Sequence, residues 1–273
     1  MARAALSRNP LAVASAAYLI AISLTAAGAP AVTPYAPDRI VLGAGLEPPT
    51  PRHWLGTDQN GRDEFTRLLY GARISLVIGV VSMLVSVGVG TAVGTVAGYS
   101  GGALDALPMR LTDAMLAIPL FFLLLTALAV LGSTVVNIVL VIGLSSWMAA
   151  ARIVRSEVLR TVHLDYVTAA RSLGAGTWRI VTRHVLPQAM PSMLVASTLG
   201  VGQAILTESA LSYLGVGVQP PTASWGNMLS HAQNYIFASP LLALWPGIAI
   251  LLTVLSFNYL GDALRDTLTP RPA

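Results

Sequence analysis

Apolar runs long enough to cross a bilayer alternate with polar stretches along most of this chain. The first runs from about Leu11 to Ala29, enough to span a hydrocarbon core about 30 Å thick. Two readings fit it, an uncleaved first transmembrane helix and a signal peptide ending at Ala27-Gly28-Ala29; its length favours the helix. Further runs predict spans at Ile74 to about Ala97, Ala114 to Leu131, Val135 to Ala151, after Pro187 and Pro191 to about Leu211, and Leu241 to Leu260. Pro119 falls near the start of the third of these six spans and Pro246 near the start of the last. In the second, Ser82, Ser86, Gly90, Gly94 and Gly98 recur every four residues. That spacing puts small side chains on one helix face and lets another helix approach closely, within this chain or from a second subunit. The fourth continues as a polar helix, Arg152 to Arg160, in which Glu157 and Arg160 form a solvated i,i+3 pair. The pattern predicts an all-α membrane protein with six transmembrane helices.

The polar stretches between the spans differ in character. Residues 30–73 are proline-rich and hold equal numbers of acids and arginines, which predicts an ordered segment closing on a short amphipathic helix through Phe65, Leu68 and Leu69. Thr57 or Asp58 is the expected cap of that helix. Residues 98–113 are expected to form a short turn carrying Asp105, Arg110 and Asp113, and residues 227–239 a short helix or loop. Asp165 to Pro187, DYVTAARSLGAGTWRIVTRHVLP, is the one long polar insertion in the hydrophobic part of the chain. Asp165 is a plausible N-cap for a helix with Ala169, Ala170 and Leu173 on one face. Gly174 and Gly176 stop that helix. Thr177 is placed to cap a second short helix, with Trp178, Val181 and Val185 on its apolar face, which Pro187 ends. Arg171, Arg179 and Arg183 are left available to an acidic partner.

Composition narrows the function classes. Only 10% of the 273 residues are charged and the mean hydropathy is +0.70, whereas an ordinary soluble domain carries roughly a quarter charged residues. All 16 basic residues are arginine. Without lysine the chain has no P-loop of its own and no Schiff-base chemistry. Without cysteine it has no disulfide, thiolate nucleophile or cysteine-bound metal. His53, His163, His184 and His231 lie far apart, with no paired-histidine metal motif. Six spans place eleven arginines in segments predicted to be cytoplasmic and five in the charge-balanced segment after the first span. That asymmetry puts both termini and Asp165 to Pro187 in the cytoplasm, and it reads the net charge of +4 as membrane orientation, not nucleic-acid binding.

The polar insertion resembles the EAA loop of ABC importer permeases: Glu-Ala-Ala, three residues, Gly, nine residues, Ile-x-Leu-Pro. Ala169, Ala170, Gly174, Leu186 and Pro187 fall in register, while Thr168 stands where Glu is usual and His184 where Ile is usual. Two further stretches are similar to the dipeptide, oligopeptide and nickel branch of that family: HWLGTDQNGRDEFTRLLYGARISL after the first span, and Glu208 to Gly215 leading to Trp225-Gly226. The resemblance implies a type I ABC importer permease fold in a bacterial cytoplasmic membrane, with an extracytoplasmic segment at 31–71, a permease domain at 72–262 and a cytoplasmic tail at 263–273. It implies a homologous second permease, two P-loop ATPases and an extracytoplasmic solute-binding protein as partners. ATP and Mg would be bound on the ATPases, with no cofactor and no catalysis on this chain. It implies that Asp165 to Pro187 couples to the ATPases, with Ala169 and Ala170 as the close-packing face and Gly174 as the turn. Leu173 and Leu186 would pack the loop on the permease's own helices, and Pro187 would set the start of the fifth span. If Asp165 is the N-cap, Thr168 is the third helical residue, where Glu would complete a capping box that Thr cannot.

Gln203 and Glu208 lie within the fifth span. A buried ionisable group there is a functional candidate, because hydrocarbon penalises charge. A role in the translocation pathway and a structural hydrogen-bonding role are both open for Glu208. The solute is equally open: di- or oligopeptides, nickel or another metal chelate, glutathione or haem. An ion-coupled secondary transporter is the more remote alternative, and it calls for inverted repeats that the sequence does not display.

Overall fold

The computed structural model describes residues 9–268. Arg3, Arg8 and Arg271, which contribute to the arginine asymmetry, lie outside the described residues. The described chain is helical, with one isolated bridge between Thr57 and Asp63. Helix α1 covers Pro10–Ala27 and a single turn, α2, Ala29–Val32. After the polar segment come α3 (Glu64–Ser100), α4 (Gly102–Leu116), α5 (Leu120–Leu131) and α6 (Val135–Val162). The short helices α7 (Asp165–Ser172) and α8 (Thr177–Ile180) lead through a wide turn at Val181–Val185 into α9 (Leu186–Tyr213). Helices α10 (Trp225–Ala232) and α11 (Leu241–Leu268) complete the chain. Five helical stretches are each long and apolar enough to cross a membrane, and the bent pair α4–α5 makes six if it is one span.

Four expectations change. The amphipathic helix and the second span are one unbroken helix, α3, which runs through the expected boundary at 71/72. Its 37 residues reach about 55 Å at 1.5 Å per residue, well beyond one bilayer core. Asp63, not Thr57 or Asp58, caps it: Asp63 Oδ2 accepts from Thr66 N at 2.8 Å and Thr66 Oγ1 at 2.6 Å, and Oδ1 meets His53 Nδ1 at 2.8 Å. Thr57 and Asp58 are engaged elsewhere, Thr57 donating to the Ala44 carbonyl and Asp58 accepting from Arg62. The turn expected at 98–113 is helical, since α3 runs to Ser100 and α4 fills the rest around an internal Pro108. The third span is then not one helix from Ala114. It breaks between Leu116 and Leu120 with a 90° change of direction. Pro119 sits at the break and suits it, because it donates no N–H and disfavours the helical conformation at the residue before it.

Helix α3 is the central post. Its pairing with α6 is the most extensive in the molecule, and α9, α11 and α1 wrap the remaining side. The small-residue stripe makes the α3–α6 contact, so its partner lies within the chain. A Cβ on Gly90 would stand 2.6 Å from Ala150 Cβ, one on Gly94 2.4 Å from the Ala151 carbonyl oxygen, and one on Gly98 2.9 Å from Val158 Cβ. No side chain fits in that groove. One apolar cluster joins Ile78, Leu124, Ile138, Ile142 and Leu211 across α3, α5, α6 and α9. A second joins Leu76, Ile205, Trp225 and Ile250 across α3, α9, α10 and α11.

Candidate functional site

The polar insertion is a helix–turn–helix hairpin standing on the end of α6. His163 and Leu164 link α6 to α7, and Leu164, in extended conformation (φ −72°, ψ 145°), is the N-cap. Asp165 is the first helical residue and not the cap, although its charge still suits the positive end of α7. Thr168 is consequently one position past that expected for the capping-box acid, and its N–H is already bonded to the Leu164 carbonyl at 3.1 Å. In the same way Gly176, not Thr177, caps α8.

Helix α7 ends in a Schellman motif. Ala175 N donates to the Ala170 carbonyl at 3.1 Å and Gly174 N to the Arg171 carbonyl at 3.0 Å. Gly174 has φ +81° with open space where a Cβ would lie. The turn needs glycine for its backbone angle and not for room.

A small apolar cluster roots the hairpin. Val167, Ile180 and Val185 are buried against Val154 and Val158 of α6. Neither Val167 nor Ile180 was expected as an anchor; at helical spacing Ile180 lies off the face of Trp178, Val181 and Val185, and the widened turn at Val181–Val185 follows it directly. Leu173 corrects the expected packing: it is 88% exposed. Trp178 is 80% exposed and likewise leaves the face formed by Val181 and Val185. Ala175 is the residue of the α7–α8 turn that packs against the cluster, and Leu173 and Trp178 on either side of it stay outside. Ala169, Arg171 and Arg179 are exposed, whereas Ala170 and Leu186 are half-buried. Pro187 does not end the second helix. It sits at the start of α9, and α8 runs into α9 through the widened turn at Val181–Val185. Such wide turns recur where a helix has lost an i→i−4 donor.

The two residues weighed for the pathway part company. Gln203 lines a cavity of about 390 Å³ between α3, α4, α6 and α9, together with Ser82, Ser145, Ser146 and Thr207. Glu208 is not among the lining residues. It is fully buried at the centre of a hydrogen-bonded knot, accepting from Ser212 Oγ at 2.7 Å and Ser75 Oγ at 3.3 Å. Ser75 Oγ in turn accepts from Trp225 N, and Ser212 Oγ from Val218 N. One carboxyl group thus ties α3, α9, α10 and the loop before α10. Glu157 is also more than a solvated partner of Arg160, because it accepts from Ser192 Oγ of α9 at 2.8 Å.

The family model for binding-protein-dependent transport system inner membrane components matches residues 90–273. The chain belongs to that family. A second model, the N-terminal TM domain of oligopeptide transport permease C, matches residues 1–49 of the permease. The glutathione transport system permease protein GsiD of Pectobacterium atrosepticum is 42% identical to it over 225 residues, 82% of this chain and 75% of that protein. The di/tripeptide transport system permease protein DppC of Pseudomonas aeruginosa is 41% identical over 260 residues, covering 93% and 86%. The nickel transport system permease protein NikC of Escherichia coli is 40% identical over 237 residues, covering 87% and 86%. Among solved structures, a chain of the MetNI methionine ABC transporter in an inward facing conformation superposes with a TM-score of 0.58 at 18% identity, covering 75% of the permease and 97% of that chain. At that identity the superposition speaks for the fold alone. The permease is therefore a multi-pass bacterial inner-membrane protein of the ABC importer class, with the fold expected from its sequence.

Proposed function

We propose that this permease forms half of the translocation pathway for di- or oligopeptides and is driven by separate ATPases that dock on the α7–α8 hairpin. The observation that carries the proposal is the construction of that hairpin. Its inner face is fixed to α6 by Val154, Val158, Val167 and Ile180, while Leu173, Trp178, Arg171 and Arg179 are turned outward. A large aromatic and a leucine held out on either side of a short turn, beside unburied guanidinium groups, suit a groove with an acidic rim on a partner. Both termini lie on the hairpin's side of the membrane in this reading, and the solute is delivered on the opposite side by a binding protein. A second permease closes the pathway. ATP and Mg stay on the ATPases, whose states move the hairpin only insofar as they engage it with different affinity.

A peptide solute fits the cavity. The Gln203 amide supplies both a donor and an acceptor for peptide groups, and the hydroxyl oxygens of Ser146 and Thr207, which donate to their own helices, keep accepting capacity in an apolar surround. The relative named for nickel favours a metal chelate as the second reading, and the relative named for glutathione lies within the peptide class chemically.

The test is ATP hydrolysis by the reconstituted assembly of this chain with its co-encoded permease and ATPases, with and without the binding protein. Stimulation by a binding protein loaded with peptide, lost in Leu173→Asp and in Trp178→Ala, is the expected result. Stimulation that survives both substitutions refutes docking on the hairpin, and stimulation by nickel-loaded protein alone replaces peptide with the metal.

A further inference from the structure

Helix α4 is fifteen residues long, yet Thr112 is its one buried residue. Leu104, Leu107 and Leu111 are largely exposed on it. It meets α6 through Met109 and Met115, which touch the cluster of Trp147, Met148 and Ala151, and through two acids. Asp105 accepts from both Nε and Nη2 of Arg155, the latter at 2.6 Å. Asp113 is ion-paired with Arg152. The two arginines lie one turn apart on α6. Both ends of α4 are jointed: Gly101 and Gly102 have φ of +64° and +56° with open space around them, and the chain turns by 90° at the other end. In the last turn of α4 and just after it, Met115, Leu116, Ile118 and Pro119 form part of the cavity wall.

We propose that α4 is a hinged flap on the cavity wall, latched to α6 by Asp105–Arg155 and Asp113–Arg152, and that these four side chains are positioning residues for transport. Helix α6 carries the latch arginines and also, at Val154 and Val158, the root of the α7–α8 hairpin. Displacement of the hairpin therefore reaches the latch along one continuous helix. Partly exposed ion pairs suit this task, since each partner regains water when the pair opens and the net cost is small. The planar, two-pronged engagement of Asp105 by Arg155 still gives the closed position a defined geometry. The coupling role rests on the permease reading above; the latch itself does not.

The chain has no cysteine, so two can be introduced cleanly. Spin labels on Leu107→Cys of α4 and Ser156→Cys of α6, in this chain alone in lipid nanodiscs, report the flap directly. The expected result is one narrow distance distribution that acquires a second population in Arg155→Asp and returns to one when Asp105→Arg is added. Arg155→Gln, which keeps bulk and removes charge, guards against failure to fold and should broaden the distribution as well. A distribution unchanged by Arg155→Asp and Arg155→Gln overturns the latch. In the complete assembly, solute moved per ATP should fall about two- to fivefold in Arg155→Asp, the range set by one partly exposed pair, and recover in the exchange variant. An unchanged ratio beside an altered distance distribution overturns the coupling role. Absence of any ATPase association is a failure of the permease reading and leaves the distance measurement standing.

Discussion

Gly174 and Gly215 occupy the same place in two copies of one local device. Each follows a leucine that ends a helix, each has φ +81°, and each begins a Schellman pair. At the second, Gly215 N donates to the Ser212 carbonyl and Val216 N to the Leu211 carbonyl, both at 3.0 Å. Left-handed backbone costs an ordinary residue roughly 1–2 kcal/mol, less for asparagine and more when the side chain is β-branched. Gly174→Asn should accordingly retain most uptake, while Gly174→Val should lose it with normal amounts of protein in the membrane. Uptake assays beside membrane immunoblots decide this, and equal loss in both variants would indicate that a partner surface, not the backbone angle, demands glycine there. The glycine stop was legible from the sequence because φ > 0 leaves few candidates. The cap before α7 was not, because Leu164, the second of two linking residues, took the role from the better capping side chain of Asp165.

At the scale of elements, periodicity was informative where one helix lies against one neighbour. The four-residue repeat of Gly90, Gly94 and Gly98 predicted close approach, and the carbonyl of Ala151 lies at the position a Cβ on Gly94 would need. Gly94→Val should separate α3 from α6 and prevent stable accumulation of the protein, since overpacking against backbone has no rotamer to relieve it. A folded, monodisperse Gly94→Val protein by size-exclusion chromatography would contradict that packing. The pattern was least informative where elements fuse or break. Apolar spacing cannot tell a short amphipathic helix followed by a span from a single helix such as α3. It also missed α4, whose Leu104, Leu107 and Leu111 cover no core and whose polar residues look like a turn. Leu173 and Trp178 read as packing residues because spacing places a side chain on a face without saying what the face meets.

At the scale of the molecule, Glu208 is the point where four segments are tied together. Glu208→Ala leaves the hydroxyls of Ser75 and Ser212 short of an acceptor in a dry interior, a loss of about 1–3 kcal/mol. Thermal unfolding of the purified protein in detergent should show a clear drop for Glu208→Ala and a smaller one for Glu208→Gln, which keeps an acceptor oxygen. Unchanged stability with lost uptake would return Glu208 to the pathway. The sequence left these two roles open because an acid within a span looks the same from either side of the helix.

The length of α3 has a mechanical meaning. The Asp58, Asp63 and Arg67 network grips its first turn, and Val158 packs against its last. A rod about 55 Å long that pivots at mid-membrane by 10° carries its two tips about 5 Å each in opposite directions. One membrane face can thus sense the other by leverage, with no signal passed from side chain to side chain.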